Sequence, residues 1–377
     1  MPILPGATIG ILGGGQLGRM TAMAARGLGY HVQVLDPDPS CAARFVVDKL
    51  VTASFDDDIA AAYLARECAV VTLEIEKVAV SSLEAAQKRA PVRPGVEVLR
   101  VIQDRARQKR WLAEHAFPVG PWVSADSESE LVEGVAGLGP DCFVKSCSGG
   151  YDGRGQVHVR GGEAAGAWAE LGQEPVVVEK ALPLAAELSV LVARRPSGEI
   201  AVYPPALNHH ENRILAWSVI PAPLPRHILD RAGEIARAVA EAMKVEGLLV
   251  VELFLLPDDT LLVNELAPRP HNSFHSTEIA CPTSQFEQHV RAVCDLPLGV
   301  ADVVRPAAIV NLLGDLWLGS HPPDFSRALA LPDVRLHLYG KRVPRAGRKM
   351  GHLSAAGATP EEAVARVQEA ARRMSAG

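Results

Sequence analysis

The chain has 377 residues, of which 48% are apolar and 22% are charged, and its formal net charge is -6. This length and apolar fraction allow a substantial buried core and favour two or three domains. Lysine and arginine are spread along the chain without a basic block, and no apolar run approaches the roughly 20 residues of a membrane span. We therefore expect small-molecule partners, with no nucleic acid and no membrane.

The cysteines show no CxxC pairing, and no charged-then-apolar leader precedes the first predicted strand. Both features predict reduced thiols and a cytoplasmic location. The six positions are Cys41, Cys68, Cys142, Cys147, Cys281 and Cys294.

Residues 1–103 alternate short apolar runs with helical patterns. Strands are predicted at 8–12, 31–35 and 69–73, with helices between them. This alternation is typical of a doubly wound α/β unit, so we expect a Rossmann-like N-terminal domain.

A different pattern begins near Asp104, where a charged helix leads into turn residues and then into strand-rich sequence. We expect an α+β domain over 104–300 and a small β-rich C-terminal domain over 301–377. The final helix begins after Thr359, a good N-cap residue, with a proline at its first position. Further strands are predicted at 142–145, 176–179, 187–193, 200–203, 247–255, 308–313 and 334–339.

The first glycine cluster has the spacing of a dinucleotide-binding fingerprint. Gly13, Gly15 and Gly18 follow a predicted strand and open a helix, and Asp36 ends the next strand. The helix N-terminus offers N–H groups to any anion, so an NAD(P)-binding oxidoreductase is one alternative. Gln16, within the turn, is either a ligand contact or a solvated loop residue.

A second glycine loop, at 148–156, lies between two predicted strands, an arrangement that differs from both Rossmann and P-loop motifs. Its backbone N–H groups could fold over phosphates while Lys145, at its base, supplies a positive charge. The alternative is a long exposed hairpin with an incidental lysine.

Two glutamates are predicted to face each other across a hairpin. If 257–260 forms the turn, residue 256 pairs with 261 and Glu252 lies opposite Glu265. Facing like charges destabilise a sheet unless a cation lies between them, and Mg²⁺ prefers such oxygen ligands. The side chain of Asn264 is expected on the opposite face. The alternative is one solvated glutamate and one in a salt bridge.

Several ordered stretches resemble one family along nearly the whole chain: 13–20, 35–37, 74–76, 103–105, 108–109, 150–156, 264–273 and 347–352. On these residues the chain resembles the ATP-grasp ligases, and among them the 5-(carboxyamino)imidazole ribonucleotide synthases of purine biosynthesis. The resemblance implies an ATP-grasp fold, ATP with two Mg²⁺ ions, bicarbonate as co-substrate, and a homodimer. It also implies that carboxyphosphate carboxylates the exocyclic amine of aminoimidazole ribonucleotide.

The resemblance assigns nucleotide and metal roles residue by residue. Arg105 and Lys145 would bind phosphates under the glycine lid, Glu187 would bind the ribose, and Glu252 and Glu265 would bind Mg²⁺. Residues 179–182 would form the adenine hinge. The full nucleotide set is Arg105, Lys145, Gly150, Tyr151, Asp152, Gly153, Arg154, Gly155, Gln156, Glu179, Lys180, Ala181, Leu182, Glu187, His210, Asn264 and Glu265.

The resemblance also implies a second substrate site. Bicarbonate would lie near Arg269, His271 and Asn272, where charge and donors stabilise carboxyphosphate, with Lys145 on the phosphate side. Taken alone, His271 would be a structural histidine, and the basic run 341–349 would be a solvated loop. The ribonucleotide contacts would be Gln16, Glu76, Tyr151, Asp152, Lys341, Arg348 and Lys349.

The chain departs from the family pattern at two places. Residues 146–148 replace arginines that the family usually carries, and Asn212 and Arg213 replace an Asp-Gly pair after His210. Other ATP-grasp ligases, namely formate-dependent glycinamide ribonucleotide transformylase and biotin carboxylase, share the lid and the carboxylates but differ at the acceptor. A non-catalytic nucleotide-binding regulator would need only the nucleotide site.

Overall fold

A computed structural model describes residues 1–149, 155–164, 166–211, 213–319 and 321–375. The described strands are β1 Thr8–Leu12, β2 His31–Asp36, β3 Lys49–Thr52, β4 Val70–Leu73, β5 Trp122–Ala125, β6 Cys142–Ser146, β7 Gln156–Val159, β8 Val176–Lys180, β9 Ala186–Arg194, β10 Ile200–Val202, β11 Ala206–Glu211, β12 Ile214–Ile220, β13 Gly247–Leu255, β14 Leu261–Ala267, β15 Ala307–Leu313, β16 Val334–Leu338 and β17 Lys349–Ala356.

The described α-helices are α1 Gln16–Gly27, α2 Asp58–Arg66, α3 Val80–Gln87, α4 Val96–Ile102, α5 Arg105–Glu114, α6 Glu128–Leu138, α7 Ala167–Glu170, α8 Arg226–Met243, α9 Thr277–Ala280, α10 Gln285–Val293, α11 Phe325–Leu329 and α12 Pro360–Ser375. Short 3-10 helices span Asn272–Phe274 and Gly314–Trp317.

The N-terminal sheet is parallel, with strand order β3-β2-β1-β4. Its strands differ in burial: β1 and β4 are almost wholly buried, whereas β3 is intermediate to exposed. Helices cover the buried strands on both faces, as in other α/β units. This confirms the predicted doubly wound arrangement. The carboxyl ends of β1, β2 and β4 meet at one sheet edge, and the glycine turn, Asp36 and Glu74 lie there.

A four-stranded antiparallel sheet, in the order β5-β8-β6-β7, carries the second glycine loop. β6 and β7 form a hairpin in which Lys145 pairs with Gln156, which confirms the strand, loop, strand prediction. Of the predicted lid residues, Gly150, Tyr151, Asp152, Gly153 and Arg154 lie outside the described residues.

The largest sheet has nine strands, eight of them in the order β14-β13-β9-β11-β12-β15-β17-β16, with β10 paired to β9. β12 pairs with β15, so the strands predicted for a C-terminal domain continue the central sheet. β11 and β12, which stand between central strand β9 and C-terminal strand β15, were not predicted. β11 contains Asn208, His209, His210 and Glu211, and Asn and Glu are depleted in strands.

Two long helices cover this sheet. α8 buries Ile228, Ile235 and Val239 against β9 and β13, and it ends at Met243. α12 packs against β15 and β17, and Thr359 Oγ1 accepts a hydrogen bond from Glu362 N at 3.2 Å, which confirms the predicted cap. Within the described part of the chain, every helix is too short or too polar to cross a lipid bilayer.

Candidate active site

The protein's own carboxylates occupy the first glycine turn. Glu74 accepts hydrogen bonds from Gly15 N at 2.7 Å and from Gly18 N at 2.8 Å, and Asp36 accepts one from Gly14 N at 2.7 Å. In a dinucleotide-binding fold, backbone N–H groups of this turn face the pyrophosphate. Because Glu74 and Asp36 already take them, the geometry argues against the NAD(P) alternative.

The glycines of this turn make room for Glu74. A Cβ atom on Gly15 would lie 2.5 Å from Glu74 Oε1, and one on Gly13 would lie 2.5 Å from Glu74 Cγ. Gly13 also has φ of +103°, a conformation that favours glycine. Sequence reasoning gave Glu74 no role. The sequence feature that could have indicated a role is that Glu74 directly follows β4, at the same sheet edge as the turn.

Three predicted site residues from distant parts of the chain meet beside this turn. Lys341 Nζ donates to Gln16 Oε1 at 2.5 Å, and Gln16 Nε2 donates to Asn272 Oδ1 at 3.3 Å. Lys341 also donates to the backbone oxygen of Lys349 at 2.8 Å. Gln16 and Lys341, predicted to contact the ribonucleotide, therefore lie next to Asn272, predicted to contact bicarbonate. Gln16 is hydrogen-bonded to each of the other two.

Arg269 is held between elements at the centre of the site. Its Nε lies 2.7 Å from Glu76 Oε1, and its Nη1 donates to the Pro270 carbonyl at 3.1 Å. The backbone of Glu76 is fixed in turn, because its carbonyl accepts from Gln103 Nε2 at 2.5 Å. Burial would lower the pKa of Arg269, but Glu76 and nearby carboxylates raise it above its usual value, so the guanidinium stays charged.

Glu252 lies opposite Glu265 in the β13–β14 hairpin, as predicted, but by a different route. The turn pairs Leu255 with Leu261, not 256 with 261, and a β-bulge between Glu252 and Leu253 restores the register. The bulge also brings Asn264 Nδ2 to 3.4 Å from Glu252 Oε2. The expectation that the Asn264 side chain lies on the opposite face was therefore wrong, because a bulge redirects a side chain.

This carboxylate pair fits a magnesium ion. Asn264 Oδ1 is buried and has no hydrogen-bond partner among the described residues, so a third oxygen is available beside the pair. Glu265 Oε2 lies 2.5 Å from Arg105 Nη1, and Glu252 Oε1 lies 3.2 Å from His271 Nε2. Burial would raise the pKa of Glu252, but His271 lowers it to about 2. Two carboxylates beside an amide oxygen are the kind of oxygen ligands that Mg²⁺ binds.

Two lysines, one from α5 and one from β6, flank Glu179 of β8. Lys145 Nζ lies 2.8 Å from Glu179 Oε2, and Lys109 Nζ lies 3.0 Å from Glu179 Oε1. Burial would raise the pKa of Glu179, but the two ammonium groups lower it to about 2. Lys109 lies in a stretch that resembles the family, but no role was predicted for it. The structure places it beside Lys145, where it adds a second positive charge.

The predicted adenine hinge, residues 179–182, begins at Glu179. The backbone N–H of Lys180 donates to Pro121 at 3.1 Å, and that of Ala181 donates to Asp141 at 2.9 Å. Any backbone hydrogen bond from these two residues to a base would therefore use their carbonyl oxygens. The base-edge role of the Glu179 side chain and that of Leu182 stay predictions.

Glu187 and His210 form an ion pair on the large sheet. His210 Nδ1 lies 3.1 Å from Glu187 Oε2. Burial would lower the pKa of His210, but Glu187 raises it above its usual value, so the ring holds a proton more readily. The pairing brings His210 next to the predicted ribose ligand.

The described lid residues and the basic segment are both anchored. Gly155 O accepts from Ser146 N at 2.8 Å, and Gln156 O accepts from Arg213 Nη1 at 2.9 Å. Arg348 Nη1 donates to the Val343 carbonyl at 2.6 Å. Lys349 is only 6% exposed, so the alternative of a solvated loop does not hold for that end of the segment.

A further cluster lies behind the site and was not predicted. Glu278, His337 and His352 place ligand atoms within 4.8 Å of one another, and burial raises the pKa of Glu278 to about 7. The two imidazole rings stack at 4.7 Å with 17° between their planes. Since a metal bound by imidazole lies close to the ring plane, this orientation does not direct both rings at one ion.

Profiles of known families match three parts of the chain. The ribonucleotide synthetase preATP-grasp domain matches residues 6–103, and the ATP-grasp domain matches residues 110–286. The phosphoribosylaminoimidazole carboxylase C-terminal domain matches residues 307–366.

Whole-length relatives give the same result. N5-carboxyaminoimidazole ribonucleotide synthases from Bacillus subtilis and Brucella melitensis are each 40% identical over 356 residues. The alignments cover 93% of this chain in both cases, and 92% and 96% of the relatives.

Solved structures agree with the sequence comparison. An ADP complex of N5-carboxyaminoimidazole ribonucleotide synthetase superposes with a TM-score of 0.92 at 39% identity, covering 98% of this chain and 97% of the other. The Aspergillus clavatus enzyme with ADP and 5-aminoimidazole ribonucleotide gives 0.89 at 32% identity, covering 98% of each chain. Together with the Glu252–Glu265 pair and the two lysines beside Glu179, these matches show that the chain belongs to the N5-carboxyaminoimidazole ribonucleotide synthase family of ATP-grasp ligases.

Proposed function

We propose that this protein uses ATP and bicarbonate to carboxylate the exocyclic amine of 5-aminoimidazole ribonucleotide, releasing ADP and phosphate. The observation that carries the proposal is the hydrogen-bonded series from Lys341 through Gln16 to Asn272. Asn272 directly follows His271, whose Nε2 lies 3.2 Å from Glu252 Oε1 of the carboxylate pair. This series supports a phosphate-side site and an acceptor-side site that meet at one point. The relative solved with ADP and 5-aminoimidazole ribonucleotide binds both ligand types.

On the nucleotide side, Arg105, Lys109 and Lys145 supply positive charge toward the phosphates of ATP. Glu252 and Glu265, with the buried oxygen of Asn264, would hold magnesium. Magnesium held there would supply positive charge that neutralises the negative charge developing during phosphoryl transfer.

The chemistry has two steps. A bicarbonate oxygen attacks the γ-phosphorus of ATP, the bond to the bridging oxygen breaks, and ADP leaves with that electron pair. The amine nitrogen of the ribonucleotide then attacks the carboxyl carbon of carboxyphosphate, and the C–O bond to phosphate breaks. The amine proton leaves with the released phosphate, so the second step needs no further co-reactant.

The protein's part is to hold the anions and exclude water. Arg269, kept charged by Glu76, places a cation beside Asn272 in a partly buried site. His271 is fixed at both nitrogens, because Nε2 lies 3.2 Å from Glu252 Oε1 and Nδ1 lies 3.1 Å from Ser273 Oγ. Arg269, as a fixed donor, acts without reorganisation when charge develops. Restricted water access protects carboxyphosphate from hydrolysis.

The acceptor is tested by ADP release from purified protein with ATP, magnesium and bicarbonate, with and without the ribonucleotide. We expect the ribonucleotide to stimulate ADP release. Stimulation only by formate with glycinamide ribonucleotide, or only by biotin, would keep the ligase and overturn the substrate. The two magnesium ions, the homodimer and the cytoplasmic location stay predictions.

A further inference from the structure

We infer that His275 and Gln285 are positioning residues that fix the side-chain amide of Asn272, so that its NH2 group is presented to the bicarbonate-derived anion. The inference rests on the proposed function. It concerns which way the Asn272 amide is turned, since its oxygen accepts hydrogen bonds and its nitrogen donates them. Two independent series of hydrogen bonds determine that orientation here.

The first series begins at Lys341. An ammonium group only donates hydrogen bonds, so the atom of Gln16 at 2.5 Å from Lys341 Nζ is the amide oxygen. The Gln16 nitrogen then faces the other way and donates to Asn272 at 3.3 Å. The Asn272 atom that accepts is therefore Oδ1.

The second series begins at the backbone of His271. Its N–H donates to Gln285 Oε1 at 2.8 Å, and its carbonyl accepts from Gln285 Nε2 at 2.9 Å. Because a backbone N–H can only donate and a carbonyl can only accept, these two bonds assign the Gln285 amide. The assigned NH2 group also lies 3.1 Å from His275 Nδ1.

That contact sets the tautomer of His275. Nδ1 faces a donor, so it accepts, and a neutral ring then carries its proton on Nε2. His275 Nε2 lies 3.1 Å from Asn272 Oδ1 and donates to it. The second series therefore ends on the same oxygen as the first.

The surroundings hold His275 in this state. His275 and Gln285 are both 0% exposed, and burial lowers the pKa of His275 well below its usual value, so the ring is neutral. The ring stacks on His352 at 4.4 Å and on Phe286 at 5.6 Å. These contacts resist ring rotation, and a flipped Asn272 would place its NH2 group against two donors.

With Oδ1 bonded to two donors, the two N–H groups of Asn272 are directed away from His275 and Gln16. They suit a carboxylate or phosphate oxygen, which only accepts. The amide acts as a fixed donor for the anion.

The kinetic test replaces the ring of His275. His275→Phe keeps an aromatic ring between His352 and Phe286 but removes both nitrogens, whereas His275→Gln keeps a donor near the Nε2 position. We expect His275→Phe to raise the KM for bicarbonate about tenfold or more, the effect of one lost charge-assisted contact. The KM values for ATP and ribonucleotide should stay within roughly twofold, and His275→Gln should recover most of the loss. Equal changes in all three KM values, or an unchanged KM for bicarbonate, would overturn the inference.

A second measurement needs no turnover and no stable His275→Phe variant. Nitrogen NMR of the wild-type protein, with the His275 signals assigned through His275→Gln, reports which ring nitrogen carries the proton. We expect the Nε2–H tautomer, and an Nδ1–H tautomer would overturn the inference. A wild-type enzyme without ribonucleotide-dependent ADP release would sink the proposed function while leaving the tautomer result intact.

Discussion

The glutamates of this site differ in chemistry because each faces a different group. Glu74 faces backbone N–H groups, Glu179 faces two lysines, and Glu252 faces His271. Glu265 faces Arg105 and lies opposite Glu252 across the hairpin. A charge change at each position should therefore affect a different step.

Glu265→Gln should lower magnesium-dependent kcat/KM by about 100-fold or more, because an ion that stabilises several kcal/mol of developing charge loses an anionic ligand. The fold should persist, since the amide has nearly the same size. The measurement is turnover as a function of magnesium concentration, with the exposed Glu241→Gln as matched control. Wild-type magnesium dependence in Glu265→Gln would remove the metal assignment.

Arg348→Ala should raise the KM for the ribonucleotide by about 10- to 100-fold and leave the KM for ATP nearly unchanged, because one charged hydrogen-bond donor is lost. The neighbouring exposed Arg342→Ala is the matched control. Steady-state kinetics with each substrate varied in turn measures both constants. Parallel changes in the two KM values would argue against a ribonucleotide phosphate role.

At the scale of elements, helix α1 begins against a carboxylate. The N-terminus of α1 takes Glu74 where other folds take a ligand phosphate, and the close approach depends on glycine at Gly15 and Gly18. The glycine spacing alone does not distinguish these two uses. Glu74, the acidic residue after β4, distinguishes them because it occupies the turn itself.

Gly18→Ala should destabilise the protein by about 1–3 kcal/mol, because its methyl group would press on the rigid backbone oxygen of Gly13. Gly27→Ala is the matched control in the same helix. Its added Cβ would meet no atom within 4 Å, so it should be neutral or stabilise by about 0.5–1 kcal/mol. Thermal unfolding of both variants measures the difference, and equal stability would contradict the account of the turn.

A second element-scale feature is the contact of α9 with β16, where Glu278 Oε2 lies 3.3 Å from His337 Nε2. Burial raises the pKa of Glu278 from 4.5 to about 7. A raised pKa means that the folded state binds the proton more tightly than the unfolded state. The resulting stability is present below pH 4.5 and is lost as the pH rises toward 7.

Glu278→Gln should therefore become more stable relative to wild type as the pH rises from 4.5 to above 7, by up to about 3 kcal/mol. The amide is neutral at every pH, so it escapes the cost of ionising a desolvated carboxyl. Thermal unfolding across this pH range measures the trend, with the exposed Glu174→Gln as control. A difference in Tm that stays constant with pH would show that Glu278 is not perturbed.

At the scale of the whole molecule, the sequence predicted most elements but not how they join. The α/β start, the β6–β7 hairpin and the cap of α12 follow from local patterns of apolar, glycine and capping residues. β11 and β12 were missed, and so was the sheet that they extend into the C-terminal strands. A strand rich in polar residues is stabilised by its neighbours, which local patterns do not report.

The site residues also divide into those that local sequence patterns predicted and those that they missed. Hairpin pairing predicted Glu252 opposite Glu265, but the turn was placed one residue off and only the bulge restores the register. Lys341 and Gln16 are 325 residues apart and were linked only by resemblance. Lys109 and His275 were missed, because a buried lysine or histidine carries no local mark that separates a positioning role from packing.

The central hypothesis is that carboxyphosphate, formed from ATP and bicarbonate, delivers its carboxyl group to the ribonucleotide. The most direct measurement supplies bicarbonate labelled with heavy oxygen and determines the label in the released phosphate by mass spectrometry. Because the bicarbonate oxygen that attacks ATP leaves with phosphate, the account predicts one labelled oxygen in each phosphate, released in amounts equal to the ribonucleotide consumed. Unlabelled phosphate formed during ribonucleotide-dependent turnover would contradict it.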